Sequence, residues 1–247
     1  MRRPPLMVAL AALALGAAPT RCAVVLDDAP GAEVRVALAA PAWPNADAPD
    51  DLGLVTLPSG AEVLVERALL SVASVELEPC ATALRERATP RERAAGVAYA
   101  HTEGGDPLRL DAGVVDWLLR RAPTALGTLR PPPDTYCRVI LRVDGAVAGT
   151  RAMPADVDFA GKTLVIDGFW RPVGGAWRPF HVAETAAFDL DAPLDGVVLG
   201  ATTRALAVNV ASDPSAWFEG VDLDAKGAGR AVLERVRASL SIGLEAP

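Results

Sequence analysis

The stretch Tyr136-Cys137-Arg138-Val139-Ile140-Leu141-Arg142-Val143 sets Cys137, Val139, Leu141 and Val143 against Tyr136, Arg138, Ile140 and Arg142. Side chains of an extended chain point alternately to opposite faces, so this period of two predicts a strand with one face on a core and the other in water. Upstream, Val75 and Leu77 alternate with Glu76 and Glu78 in the same way. Downstream, Thr163 to Trp170 and Phe180 to Phe188 read as two strands joined through Gly174 and Gly175, a hairpin-like connection. Val197 to Leu199, the series Leu206, Val208, Val210, and an early run from Glu33 to Leu38 complete the strand candidates. Strands separated by turn residues, without the helix after each strand that a βαβ protein needs, predict a mainly β protein. The expected architecture is an antiparallel β-sandwich, immunoglobulin-like or related, with short helices and a C-terminal helix.

Helical signals are fewer. Leu84 to Ala95 is rich in Arg and Glu and is interrupted at Pro90, and Val114, Val115, Leu118 and Leu119 have helical spacing after Asp111. Ser212 or Asp213 before Pro214 is a helix-start signal, because a cap oxygen accepts free backbone N–H groups and proline is tolerated in the first turn. Val232, Leu233, Val236 and Leu240 mark one face of a helix near the C-terminus.

At the N-terminus, Arg2 and Arg3 precede the apolar run Leu6 to Ala18, the charged-then-apolar order of a secretory leader. Such a run rises about 20 Å as a helix, short of the roughly 30 Å hydrocarbon core, so it reads as an export signal rather than a permanent span. Cys22 stands where a bacterial lipoprotein carries its lipidated cysteine, whereas Arg21 before it is foreign to a lipobox. Lipid-anchored and freely periplasmic forms therefore both stay open. The expected organisation is a signal peptide over 1–22, an N-terminal strand and Pro/Asp-rich loop over 23–60, and a sandwich with its C-terminal helix over 61–247. Pro41 to Asp51, with three prolines and no periodicity, is the loop.

The chain has 247 residues, 51% of them hydrophobic, and a net charge of -7. That composition excludes a wholly disordered chain and opposes a protein built to hold nucleic acid phosphates. Arginine far outnumbers lysine, which reads as coding bias. Of the three cysteines, Cys22 falls at the processing site, and Cys80 and Cys137 lie at the end of one strand and the start of another. In an oxidising compartment a disulfide is their expected state.

Motifs of nucleophilic catalysis, zinc proteases, P-loops and dinucleotide binding are missing, so the expectation is a non-enzymatic protein with no cofactor. Asp222, Asp224 and Gly227 resemble the opening of a calcium loop, but Lys226 takes a ligand position and Glu234 arrives one residue late for the bidentate role. That segment reads as an acidic turn into the last helix. His181 lies among Trp170, Trp177 and Phe180, and His101 is followed by Glu103 and Asp106. Imidazole is a common metal ligand, so either is a candidate for a metal, with packing of the aromatic hairpin the plainer reading.

The segments VELEP (Val75 to Pro79), PLRLDAGVVDWLL (Pro107 to Leu119) and LGTLRPPPDTYCRVILRVDGA (Leu126 to Ala146) resemble the uncharacterised β-sandwich domains of bacterial envelope lipoproteins. Asp134 stands where their turn has glycine. The chain is also similar to the copper-binding envelope proteins associated with methanobactin systems, through the same run and the acidic, aromatic segment Trp217 to Asp222. The first resemblance implies an exported envelope protein that binds a ligand or protein or serves a structural role, with membrane attachment through a lipidated Cys22. The second implies an envelope copper-binding protein using His181 or His101, and a hydrolase with an unrecognised site is the third alternative.

Overall fold

The computed structural model describes residues 32–41, 43–44, 52–80, 106–118, 123–200 and 203–245. Cys22, His101, the leader, the candidate helix Leu84 to Ala95 and most of the Pro/Asp-rich loop lie outside them. Within the compact unit Gly31–Pro247 the chain is mainly β.

One element organises the larger sheet. Strand β3 (Glu62–Pro79) runs for 18 residues, and two shorter strands sit end to end along each of its sides. On one side are β2 (Gly53–Thr56), opposite 62–65, and β4 (Arg109–Asp116), opposite 69–76. On the other are β7 (Leu164–Arg171), opposite 62–70, and β6 (Asp134–Val143), opposite 72–79. Beyond these, β8 (Arg178–Glu184) pairs with β7 and β9 (Phe188–Leu199) with β6, making seven strands, all antiparallel to their neighbours. Register shifts at Val65/Arg67 and Val72/Ser74 keep β3 in phase with the core over this length: Val63, Val65, Ala68, Leu70, Val72, Val75 and Leu77 are all buried.

The smaller sheet has the order β11 (Ser241–Glu245), β10 (Ala205–Ala211), β1 (Glu33–Leu38), β5 (Thr124–Leu129). β1 and β10 run parallel; the other pairs are antiparallel. Val34, Val36 and Leu38 from β1 and Leu206, Val208 and Val210 from β10 join the buried face of β3, β6 and β7 in one apolar cluster. Two sheets sharing one core in this way form a sandwich. A 3-10 turn (Pro214–Ala216) and helix α1 (Ala228–Ser239) supply Trp217, Phe218, Val232, Leu233 and Val236 to the same cluster, with α1 lying against β8. The 3-10 turn starts where the sequence signals it: Asp213 caps it by accepting from the Ser215 N–H at 2.9 Å, ahead of Pro214.

Cys80 and Cys137 form a disulfide with a Cα–Cα distance of 5.0 Å. The Cys80 N–H donates to Thr135 O at 2.9 Å, so the bond sits where the β3–β6 ladder ends.

Three sequence expectations change. Val114 and Val115, expected in a helix, lie in strand β4. Both are buried because β4 is covered on both faces, Val115 by the main core and Val114 by a second, smaller cluster; adjacent buried residues imitate a helical face. The run Phe180 to Phe188 is two strands: β8 ends at Glu184 and β9 begins at Phe188, with a chain reversal between them. Strands β2, β5 and β11 carry no signal noted in the sequence. In β5 the register shift opposite Val36/Ala37 breaks the alternation around Leu126 and Leu129, leaving Gly127 at φ 154° between them.

Candidate functional site

Outer-face positions of the seven-stranded sheet follow from the register, because same-face residues recur every second position and paired residues share a face. Three zones result. Over β4, β3, β6 and β9 the outer face is a lattice of charges. Arg109 donates to Glu76 and Asp111, both at 3.0 Å, Arg138 pairs with Glu78, and Arg142 lies 3.5 Å from Asp189. The hydrogen bond to Asp111, with the nearby Glu76 adding to it, raises the pKa of Arg109 above its ordinary value against the opposing effect of burial. Arg109 and Arg138 are hydrogen-bonded in this way, whereas Arg142 Nε is buried without a hydrogen bond among the described residues.

The middle zone is a strap. β6 and β7 both run antiparallel to β3 in one line, yet the chain between Val143 and Leu164 makes a 20-residue excursion across the sheet. Phe159 and Ala146 from the strap bury Leu69, Val114 and Val165, and Val114 N donates to Arg151 O at 2.9 Å. Arg151 reaches across to donate to Leu126 O. The strap leaves open clefts towards the two ends of β4: one of 480 Å³ bordered by Ser71, Arg109, Asp111, Asp144 and Arg151, and one of 420 Å³ bordered by Glu66, Arg67, Asp116, Thr124 and Asp156. A long segment without regular structure inside a compact body is commonly functional.

The third zone is a half-buried to exposed shelf on β2, β3, β7 and β8. Its three rows cross the strands. The row beside the strap is Arg67, Asp167, His181; the middle row is Leu54, Leu64, Phe169, Pro179; the outermost is Thr56, Glu62, Arg171, extended by Trp177, which precedes β8 and lies against Arg171. None of the middle four is fully buried, and Pro179 is exposed. The flanking rows are polar and internally paired: Arg67 donates to Asp156 at 2.6 Å, His181 Nδ1 lies 2.5 Å from Asp167 Oδ1, and Arg171 pairs with Glu62. The Arg171 guanidinium also lies 4.5 Å from the centre of the Trp177 ring, a cation–π contact.

The aromatic hairpin expected from the sequence is present, with Gly174 at φ 66° in its turn. The structure corrects one part of that expectation. Trp177 is not packed in a corner but 40% exposed, and the turn residue Val173 is 72% exposed. Trp170 points to the opposite face of β7, where Arg178 lies 5.6 Å from its ring, so the two indoles do not form one platform. His181 shares the face of Trp177, two register positions away. Among the described residues no three His, Cys, Asp or Glu side chains gather as a metal site would require. Asp222 and Asp224 do form a turn, with Asp222 accepting from the Asp224 N–H, and Asp224 pairs with Arg178 rather than pointing into an ion site.

No stretch of the sequence spells out the shelf, since its rows are assembled from four strands; only the period-two placement of Phe169, Arg171, Trp177 and Pro179 hinted at it. Compared with known proteins, the chain matches no protein-family model, no curated protein and no solved structure.

Proposed function

We propose that this chain is an exported cell-envelope protein with a binding or structural role and no catalysis of its own, and that the shelf is its binding surface. The observation that carries the binding part is the row of half-buried Leu54, Leu64 and Phe169 and exposed Pro179, on a face whose neighbouring half is sealed by the strap and by paired charges. Exposed apolar surface rimmed by polar groups marks interaction sites. Export is supported by the apolar run Leu6 to Ala18 after Arg2 and Arg3, and by the Cys80–Cys137 disulfide, a bond that persists in oxidising compartments. Lipidation at Cys22 would hold the body at a membrane surface. Intact mass of protein purified from the envelope tests this. The expected species has lost the leader, with or without lipid on Cys22, and carries the disulfide; a mature species retaining residues 1–18 would defeat export.

A second reading, an envelope copper-binding protein, is favoured by one observation. Asp167 engages Nδ1 of the exposed His181, an arrangement in which a carboxylate orients an imidazole whose other nitrogen can take a metal. Copper titration of the wild type and of His181→Ala decides it: stoichiometric binding that disappears in the variant, at unchanged thermal stability, would promote this reading over the first.

A further inference from the structure

We propose that the shelf is the contact face of a symmetric homodimer, built around a two-fold axis along the row Leu64, Phe169, Pro179. This rests on the reading of the shelf as an interaction surface, and not on export. A two-fold interface must be complementary to itself, each residue meeting its partner's counterpart in reciprocal pairs. The order of charges across the shelf meets that condition. Along β3, β7 and β8 the row beside the strap reads Arg67, Asp167, His181, and the outermost row reads Glu62, Arg171, extended by Trp177. Turning a second copy about an axis that runs across the strands through the middle row exchanges the two outer rows while keeping each strand position.

Arg67 then faces Glu62 of the second copy, Asp167 faces its Arg171, and His181 faces its Trp177, just ahead of β8. The symmetry repeats every one of these contacts. Both ion pairs are of opposite sign, and the apolar row meets itself: Leu64 on Leu64, Phe169 on Phe169, Pro179 on Pro179. The internal pairs of these charges do not preclude this, because a guanidinium has five N–H groups and a carboxylate accepts at two oxygens. The same rotation carries the exposed Val173 at the hairpin turn of one copy towards the strap of the other.

The shelf is small. Four strands about 4.8 Å apart and three rows about 7 Å apart cover on the order of 400 Å², half of the roughly 800 Å² per partner that a standard stable interface buries. The association is therefore weak in solution, with dissociation in the micromolar to submillimolar range, and is strengthened wherever copies are confined to one surface.

Sedimentation equilibrium of the full chain, from about 5 µM to about 1 mM, tests the proposal. The wild type should pass from monomer to dimer, and raising the salt from about 0.05 M to about 0.5 M should weaken the dimer severalfold as the ion pairs are screened. Arg67→Glu alone sets Glu against Glu62, and Glu62→Arg alone sets Arg against Arg67, so each should weaken the dimer at least tenfold. Mixed together, the two variants restore opposite charges at both reciprocal contacts, and the mixture should associate about as well as the wild type. Pro179→Glu, on the exposed edge strand, places two carboxylates across the axis and serves as an independent variant should either charge reversal fail to fold, as judged by circular dichroism. A wild type that stays monomeric throughout would overturn the proposal and leave the shelf to a different occupant. So would folded Arg67→Glu that dimerises as well as the wild type, or a mixture of folded variants that fails to associate. Export, read from intact mass, stands or falls independently of these outcomes.

Discussion

Two tryptophans show how much the face of a residue matters. Trp217 has no exposed surface; its ring lies 5.1 Å from that of Trp117 and 5.6 Å from that of Trp43. Its indole N–H donates to Ser212 Oγ at 2.9 Å and approaches Ser239 Oγ at 3.2 Å, while Ser239 donates to Val236 O. The ring thus joins the 3-10 turn, the end of β10 and the last turn of α1. Truncation would leave a large cavity beside these hydroxyls, which keep their bond to each other, so Trp217→Ala is expected to cost about 3 to 5 kcal/mol through lost burial. Trp177 has the same chemistry on the outer side of the sheet, in a cation–π contact with the Arg171 guanidinium. For Trp177→Ala the expected loss is below about 1 kcal/mol, in the range of an exposed cation–π contact. Urea denaturation of both variants checks the contrast; comparable losses would show that Trp177 is packed after all. The sequence supplies both residues and even the hairpin, through Gly174 and Gly175, but not which indole faces outward. That depends on pairing Trp170 with Arg178 across the turn, a register that turn residues alone do not specify.

Strands whose two faces differ are legible in a sequence, and strands covered on both faces are not. β6 from Arg138 onward and the second half of β3 have one face on the core and one in the charge lattice, and their alternation is plain; Tyr136, expected on the face of Arg138, is instead buried in the core because the register shifts between them. β4 lies between the core and the strap, so it loses the polar half of its pattern and takes on helical spacing. The candidate site suffers more, since its rows are made by pairing β2, β3, β7 and β8, whose residues are up to about 120 positions apart. Gly168 marks the closeness of that pairing: a Cβ there would strike Leu64 O in the backbone of β3. Gly168→Ala is therefore expected to cost about 1 to 3 kcal/mol through overpacking, measured by thermal denaturation. The strap should behave as a separable unit, because its cluster of Leu69, Val114, Ala146, Phe159 and Val165 is distinct from the main core. Phe159→Ala removes the largest side chain that holds it down. The expected result is faster proteolytic cleavage between residues 147 and 158 while the circular dichroism of the sheets is retained. Cleavage no faster than in the wild type would mean that the backbone bond from Val114 to Arg151 and the reach of Arg151 suffice to hold the strap.

At the scale of the whole molecule, the sandwich depends on contacts between residues far apart in sequence. β1 at the start of the described chain pairs with β10 near its end, and β3 meets residues up to 109 positions away. Such pairings are slow to form and lose much chain entropy, because the loops between them must close first. The Cys80–Cys137 bond acts on that cost. It closes a separation of 57 residues that contains β4 and β5, one strand in each sheet, and it fixes the place where β3 passes β6. By chain entropy alone, a closed loop of this size stabilises the folded state by about 4 kcal/mol. Cys80→Ser, or reduction of the wild type, is accordingly expected to lower stability by about 2 to 5 kcal/mol. The effect should lie mainly in the unfolded chain, so the urea midpoint falls and the dependence on urea steepens as the unlinked chain exposes more surface. Equilibrium urea curves with and without reductant measure this. Thiol labelling of the denatured, unreduced protein is the companion test: it should leave Cys80 and Cys137 unmodified, and labelling of both would show that the two sheets are held without the cross-link.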